Sequence, residues 1–241
     1  MRAAVDIWWM RGAIAEPAHA AVSVRDMTAI PPAWRRGRRG RFLGDVLRQY
    51  RAAQQAPTAR AAAGGWRFNL PGGRHLSLTD TGPILIVALA QGTPIGIDAE
   101  RARPVDDAVA TLQRLALGRL ADRIGRLEPQ ARARAFAHVW TAFEAFLKLE
   151  RLGWDEAARR FADLVERWRI GRDGTARFEP GAQFPLNFQP VDVIPGVLLT
   201  VASPVACRVS AAEWHCGTVA SPVEKSGSAS KPELRGCFSR M

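Results

Sequence analysis

The chain has 241 residues, 47% hydrophobic and 24% charged, which is ordinary globular usage and excludes wholesale disorder. At roughly 150 residues per domain this length makes one large domain or two small ones. Basic residues exceed acidic ones by 11, so the expected partner is anionic: nucleic acid, membrane, phosphorylated ligand or acidic protein.

A second source for the charge is compositional, because the chain is rich in Arg, Ala and Gly and places lysine only at Lys148, Lys225 and Lys231. Cys207, Cys216 and Cys237 are odd in number and form no CxxC pair, which predicts neither a disulfide framework nor a zinc site. A reducing, cytoplasmic setting is expected. The apolar run within Met1–Met10 is too short for a secretory signal. No segment approaches the roughly 18 apolar residues of a membrane-spanning helix, so no membrane partner is expected.

In chain order, residues 5–10 read as a buried strand closed by Arg11-Gly12. Residues 31–51 hold seven arginines against Asp45 alone, and from Arg41 the spacing of Phe42, Leu43, Val46, Leu47 and Tyr50 predicts an amphipathic helix. Residues 54–65, rich in Ala and Gly, read as a loop or frayed helix, and Pro71-Gly72-Gly73 as a turn. Strands follow over 75–79 and 84–90, then a turn over 91–94 leads into a strand over 95–100.

After Pro104 the period changes to helical through Leu112, Leu115, Leu120 and Ile124. A longer helix is expected from about Gln130 to Leu152, capped by Gly153. Returning strands are expected over 158–168, 175–178, 188–193 and 197–202. From 213 to 241 the composition predicts a disordered tail.

Two constellations carry chemistry. Asp98 and Glu100 stand two apart on a strand, so both carboxylates project to one side. Such a pair is either solvated or relieved by a cation or a shared proton. Glu144 and Lys148 stand four apart on a helix whose buried stripe is Phe136, Val139, Trp140, Phe143 and Leu147. That spacing suits an exposed ion pair. However, Lys148 is the one lysine before the tail in a chain that otherwise uses arginine, which points to a need for a compact ammonium.

Gly96-Ile97-Asp98-Ala99-Glu100 and, some forty residues on, Trp140-Thr141-Ala142-Phe143-Glu144-Ala145-Phe146-Leu147-Lys148 resemble the two signatures of 4′-phosphopantetheinyl transferases, G-[IV]-D-x-E and W-[ST]-x-K-E-[AS]-x-x-K. Phe42-Leu43-Gly44-Asp45-Val46-Leu47 is similar to the start of the first long helix in the surfactin-synthetase-activating type. The resemblance runs from about Val5 to Val209. It implies an α/β (α+β) fold of two similar halves related by a pseudo-two-fold, each a small sheet packed with a long helix, with the active site in the cleft between them. The halves would be 1–101, on the side of the coenzyme A 3′-phosphate, and 102–212, on the metal and carrier-protein side.

The resemblance further implies Mg²⁺ held by Asp98, Glu100 and Glu144 together with the pyrophosphate of coenzyme A. A serine of an apo acyl or peptidyl carrier protein would attack the β-phosphate and release 3′,5′-ADP. Glu144 and Lys148 would be the catalytic residues, Glu144 taking the serine proton and Lys148 meeting a phosphate. Arg39, Arg41, Arg67, Thr79 and Lys148 would contact coenzyme A, with Arg39 or Arg41 on the 3′-phosphate through bidentate hydrogen bonds. A monomer is expected.

Three segments depart from the family pattern. Ser77-Leu78-Thr79-Asp80-Thr81 has Asp80 where a phosphate-contacting histidine is usual, and Phe143 replaces the signature's first lysine. The piece that frames the adenosine end reads Gly64-Gly65-Trp66-Arg67-Phe68. The alternative function is therefore a divergent member that binds coenzyme A or a carrier protein with weakened transfer. Arg35 to Arg41 with Trp34 would also suit nucleic acid, but no recognised nucleic-acid fold accompanies them, and no nucleic-acid partner is expected.

Overall fold

The computed structural model describes residues 3–10, 58–62, 65–70, 73–82, 84–181, 185–215, 218–219 and 223–224. In chain order the elements are β1 (Ala3–Met10), β2 (Thr58–Ala62), β3 (Gly65–Leu70), β4 (Arg74–Thr81), β5 (Ile84–Gln91) and β6 (Gly96–Glu100). The helices α1 (Ala108–Arg114), α2 (Gly118–Gly125), α3 (Pro129–Glu150) and α4 (Trp154–Ala162) follow. The chain then returns through β7 (Trp168–Ile170), β8 (Ala176–Phe178), β9 (Asn187–Val191), β10 (Leu198–Ser203), β11 (Cys207–His215), β12 (Thr218–Val219) and β13 (Val223–Glu224). The fold of the described residues is mixed α/β, with sheets and four helices.

The continuous apolar run of β5 sits inside the larger sheet, in the order β12-β11-β1-β5-β4-β3-β2, with β13 also paired to β11. Its residues Ile84 to Ala90 are all buried, which is why the run shows no alternation. The pairing is antiparallel except between β1 and β11, which run parallel with Val5 opposite Val209. A smaller sheet has the order β6-β10-β9, and β7 and β8 form a hairpin.

Val5, Ile7, Ile84, Ile86 and Ala88 of the larger sheet share one buried cluster with Ile97, Ala99, Leu199 and Val201 of the smaller. A second cluster joins the four helices to Trp168, Leu186 and Phe188. At roughly 1.5–3 kcal/mol per fully buried large apolar side chain, these two clusters are the main opposition to chain entropy.

Several elements differ from expectation. Within residues 54–65, Thr58–Ala62 is a strand, not a loop or frayed helix, because it pairs along β3 with Arg60 opposite Arg67. An Ala-rich segment has little intrinsic strand preference, and the cross-strand ladder overrides it. Residues 158–168 are mostly helical, not a strand: Ala157, Ala158 and Phe161 of α4 are buried at helical spacing, with Asp155 and Glu156 in the first turn. Only Trp168 begins a strand.

The helical stretch after Pro104 is two short helices. Ala116 at φ 59° separates them, the Leu117 amide bonds the Leu112 carbonyl and the Ala116 amide bonds that of Gln113, the two bonds of a Schellman end. Gly153 does not cap α3. Arg151 takes the left-handed position at φ 60°, and Gly153, extended, opens α4. β11 continues to His215, and β12 and β13 pair with it inside the span expected to be disordered. The helix expected from Arg41 lies outside the described residues.

Candidate functional site

The site forms where β6, the outer strand of the smaller sheet, meets α3 on one side and the inner face of β4 on the other. Gly96 makes the approach to α3 possible: a Cβ there would lie 1.9 Å from the Ala145 carbonyl oxygen and 2.7 Å from the Leu149 amide nitrogen. The strand backbone therefore rests directly on the helix, level with Lys148. Lys148 Nζ donates to Asp98 Oδ1 at 2.7 Å and to the Ile97 carbonyl at 3.0 Å. These two contacts join residues fifty and fifty-one apart in sequence.

From the other side, β4 presents Ser77, Thr79 and Thr81, which alternate along the strand and are all buried. Thr79 Oγ1 donates to Asp98 Oδ1 at 2.8 Å and the Ile97 amide donates to Ser77 Oγ at 3.0 Å. Both backbone polar groups of Ile97, its N–H and its C=O, are thus satisfied by side chains of neighbouring elements in place of a further strand.

Burial dominates the electrostatics. Asp98 is 4% exposed, and its carboxyl is raised by desolvation against the opposing pull of Lys148, Thr79 and the Ala99 amide. Glu100 is raised by partial burial and by the charge of Asp98, while Arg103 holds it back. Glu144 is pushed up to about 7, first by burial and then by Asp98 and, after the opposing Lys148, Glu100. A carboxyl that titrates near neutrality can give or take a proton at working pH.

Asp98, Glu100 and Glu144 therefore feel one another as charges, the condition that an added cation relieves. Their donors are all carboxylate oxygens, which suit a hard divalent ion such as Mg²⁺. Among the described residues no three His, Cys, Asp or Glu side chains form a metal cage by themselves.

Of the residues expected at the site, Asp98, Thr79 and Lys148 are in direct contact, and Glu100 and Glu144 are coupled to them through charge. The ion pair of Lys148 is with Asp98 and not, as helical spacing suggested, with Glu144. Arg39 and Arg41 lie outside the described residues. Arg67 is on β3, next to β4 in the sheet, and its side chain lies outside the described residues.

Two of the three departures from the family pattern, Asp80 and Phe143, stand away from the carboxylates. Asp80 is exposed and alternates to the face of β4 opposite Thr79. Phe143 is fully buried, with its ring edge-on to Trp154 at 5.0 Å and to Phe161 at 5.5 Å. It contributes to the helical core, and a lysine there would bury its stem and charge among aromatic rings.

Ser77 and Thr81 were not singled out from sequence as individual site residues, although Ser-x-Thr-x-Thr on a predicted strand is the signal of a hydroxyl row. A cavity of about 230 Å³ adjoins Glu100, lined on α3 by Phe136, Ala137 and Trp140. Among the described residues no helix is long and apolar enough to cross a membrane. Compared with known proteins, the chain matches no family model, and no curated protein matches it.

Proposed function

We propose that this protein is a Mg²⁺-dependent 4′-phosphopantetheinyl transferase that moves the phosphopantetheine arm of coenzyme A onto a serine of an apo acyl or peptidyl carrier protein. One observation carries the reading: the 2.7 Å contact between Lys148 and Asp98 joins the two sequence signatures, beside a glutamate that titrates near 7. Asp98, Glu100 and Glu144 would hold the cation, which supplies charge neutralisation at the pyrophosphate when bound.

In the transfer the serine oxygen bonds the β-phosphorus, the pyrophosphate P–O bond breaks, and 3′,5′-ADP leaves with the bonding electron pair. Glu144 takes the serine proton. Lys148 has three donors; two are engaged by Asp98 and Ile97, and the third serves a phosphate oxygen. Arg39 and Arg41 bind the 3′-phosphate, and Arg67 and Thr79 lie along the coenzyme A side. Thr79 acts there chiefly through Asp98, because its hydroxyl proton is directed to that carboxylate.

Under this reading 1–101 and 102–212 are the pseudo-symmetric halves of a cytoplasmic monomer. Purified protein incubated with coenzyme A, Mg²⁺ and apo carrier proteins should raise the intact mass of at least one carrier by one phosphopantetheine group. No mass change with any carrier, and no coenzyme A binding, overturns the proposal.

A second reading is a coenzyme A or carrier-protein binding protein without transfer. It is favoured by Phe143, which puts an aromatic ring in the core where the signature has a lysine. Coenzyme A binding with no mass change on any carrier would select it.

A further inference from the structure

Thr200 of β10 stands directly opposite Asp98 of β6, so the two side chains project from one face of the smaller sheet. That face meets α3 at two polar contacts. Lys148 donates to Asp98, and beside it Thr141 Oγ1 lies 2.8 Å from Thr200 Oγ1. Thr141 is fully buried and Thr200 is 3% exposed, so neither hydroxyl has water to turn to.

On the sheet these contacts end on one cross-strand pair, whereas on the helix they start about two turns apart. α3 therefore crosses the strands with Thr141 over β10 and Lys148 over β6. Glu144 stands between, three residues after Thr141 and four before Lys148, on the stripe that both share. It interacts with the charges of Asp98, Lys148 and Glu100.

Proton counting gives the hydroxyl pair a direction. Thr141 has a single hydroxyl proton, which it donates to the His138 carbonyl one turn back at 3.1 Å. Thr200 is then the donor of the 2.8 Å bond and Thr141 its acceptor. Because Thr141 is also tied to its own helix, the bond from Thr200 acts on the helix as a body.

The length of this bond has a consequence beyond its strength. Two oxygens that share a proton approach to 2.8 Å, whereas two methyl groups stay about 3.5–4.0 Å apart. An apolar pair of the same shape would hold α3 about 1 Å further from β10. Gly96 secures the close approach at the other end of the crossing by lacking a Cβ.

Resting on the transferase reading, we propose that Thr141 and Thr200 are positioning residues: their hydroxyl bond sets the height of Glu144 over Asp98 and Glu100, and with it the gap that the three carboxylates close on a divalent cation. A displacement of about 1 Å in such a constellation is enough to cost about 10²-fold in rate.

Thr200→Val is the decisive variant, because it removes the donor and adds a methyl group while Thr141 stays bonded to His138, so no buried hydroxyl is orphaned. Thr200→Ser keeps the hydroxyl. Both are compared with wild type in the full chain by calorimetric titration of Mg²⁺ with coenzyme A present, by transfer kinetics at saturating Mg²⁺, and by thermal unfolding. Thr200→Val should weaken Mg²⁺ binding and lower kcat, each by about ten-fold or more, with KM for coenzyme A changed by less than about two-fold. Thr200→Ser should restore both. If Thr200→Val gives no cooperative melt, Thr200→Ala removes the donor without added bulk and should show the same two losses.

A lowered melting temperature with Mg²⁺ affinity and kcat unchanged overturns the proposal and leaves the pair a packing contact. A serine variant as impaired as the valine one overturns it too. Wild-type protein that binds neither coenzyme A nor Mg²⁺ overturns the transferase reading itself, a result distinct from wild-type binding that the variants leave intact.

Discussion

Thr79 directs its single hydroxyl proton at Asp98, a buried carboxylate whose same oxygen also receives Lys148. Thr79→Val keeps the shape and removes the donor. A hydrogen bond to a charged group contributes about 1.5–3 kcal/mol, so the urea midpoint should fall by that equivalent with an unchanged slope. Thr79→Ser should retain most of the stability. Equal losses in both variants would assign the effect to packing of the methyl group.

His138, on the same helix, has a buried Nε2 with no hydrogen-bond partner among the described residues. Burial and then Arg134 hold its pKa down to about 4, from 6.5, so the folded state keeps it neutral while the unfolded chain takes up a proton. Stability from this residue is present above pH 6.5 and lost as pH falls towards 4, with a slope of up to about 1.4 kcal/mol per pH unit. Thermal unfolding across that interval should show a weaker pH dependence in His138→Gln than in the wild type. Parallel curves would refute the assignment.

Between elements, the controlling feature is the contact of β6 with α3. Gly96→Ala would drive a methyl group into the Ala145 carbonyl, which is backbone and has no rotamer to escape through. The strand must lift from the helix, separating Lys148 from Asp98 and leaving a buried carboxylate without its partner. Breaking a buried pair costs about 3–5 kcal/mol, and overpacking adds to it. Gly118→Ala is the contrasting case, because open space surrounds that position in α2. A gain of up to about 1 kcal/mol is expected there from helix propensity. Paired denaturation curves of the two variants check both signs.

Across the molecule, strands from the two ends of the chain are interleaved. β11 lies parallel to β1 in the larger sheet, and β6 pairs with β10 in the smaller, so each sheet draws strands from both sides of residue 101. Separating 1–101 from 102–241 would leave β1 without β11 and β10 without β6, and would open the apolar cluster between the sheets. Neither fragment should unfold cooperatively alone, whereas coexpression of the two should restore a single transition. A cooperative melt of the isolated 102–241 fragment at the full-chain temperature would contradict this, and circular dichroism is sufficient to detect it.

The sequence by itself determined those features whose cause is local. The apolar run of β5, the strand carrying Asp98 and Glu100, and the 3.6-residue stripe of α3 were legible because periodicity reports which side of an element is buried. Asp98, Lys148 and Thr79 were named from spacing and resemblance, and they meet. Where the cause is distant, local pattern was insufficient. Thr58–Ala62 is a strand because β3 lies beside it, and α4 is a helix because its apolar side closes over Phe143. The tertiary structure alone decided that Lys148 pairs with Asp98 in place of its helical neighbour Glu144, that Asp80 faces away from the carboxylates, and that a cavity continues from Glu100. The first of these depends on how closely β6 approaches α3. That distance is set by the missing Cβ of Gly96 against a helix backbone some fifty residues further along the chain, which no local period encodes.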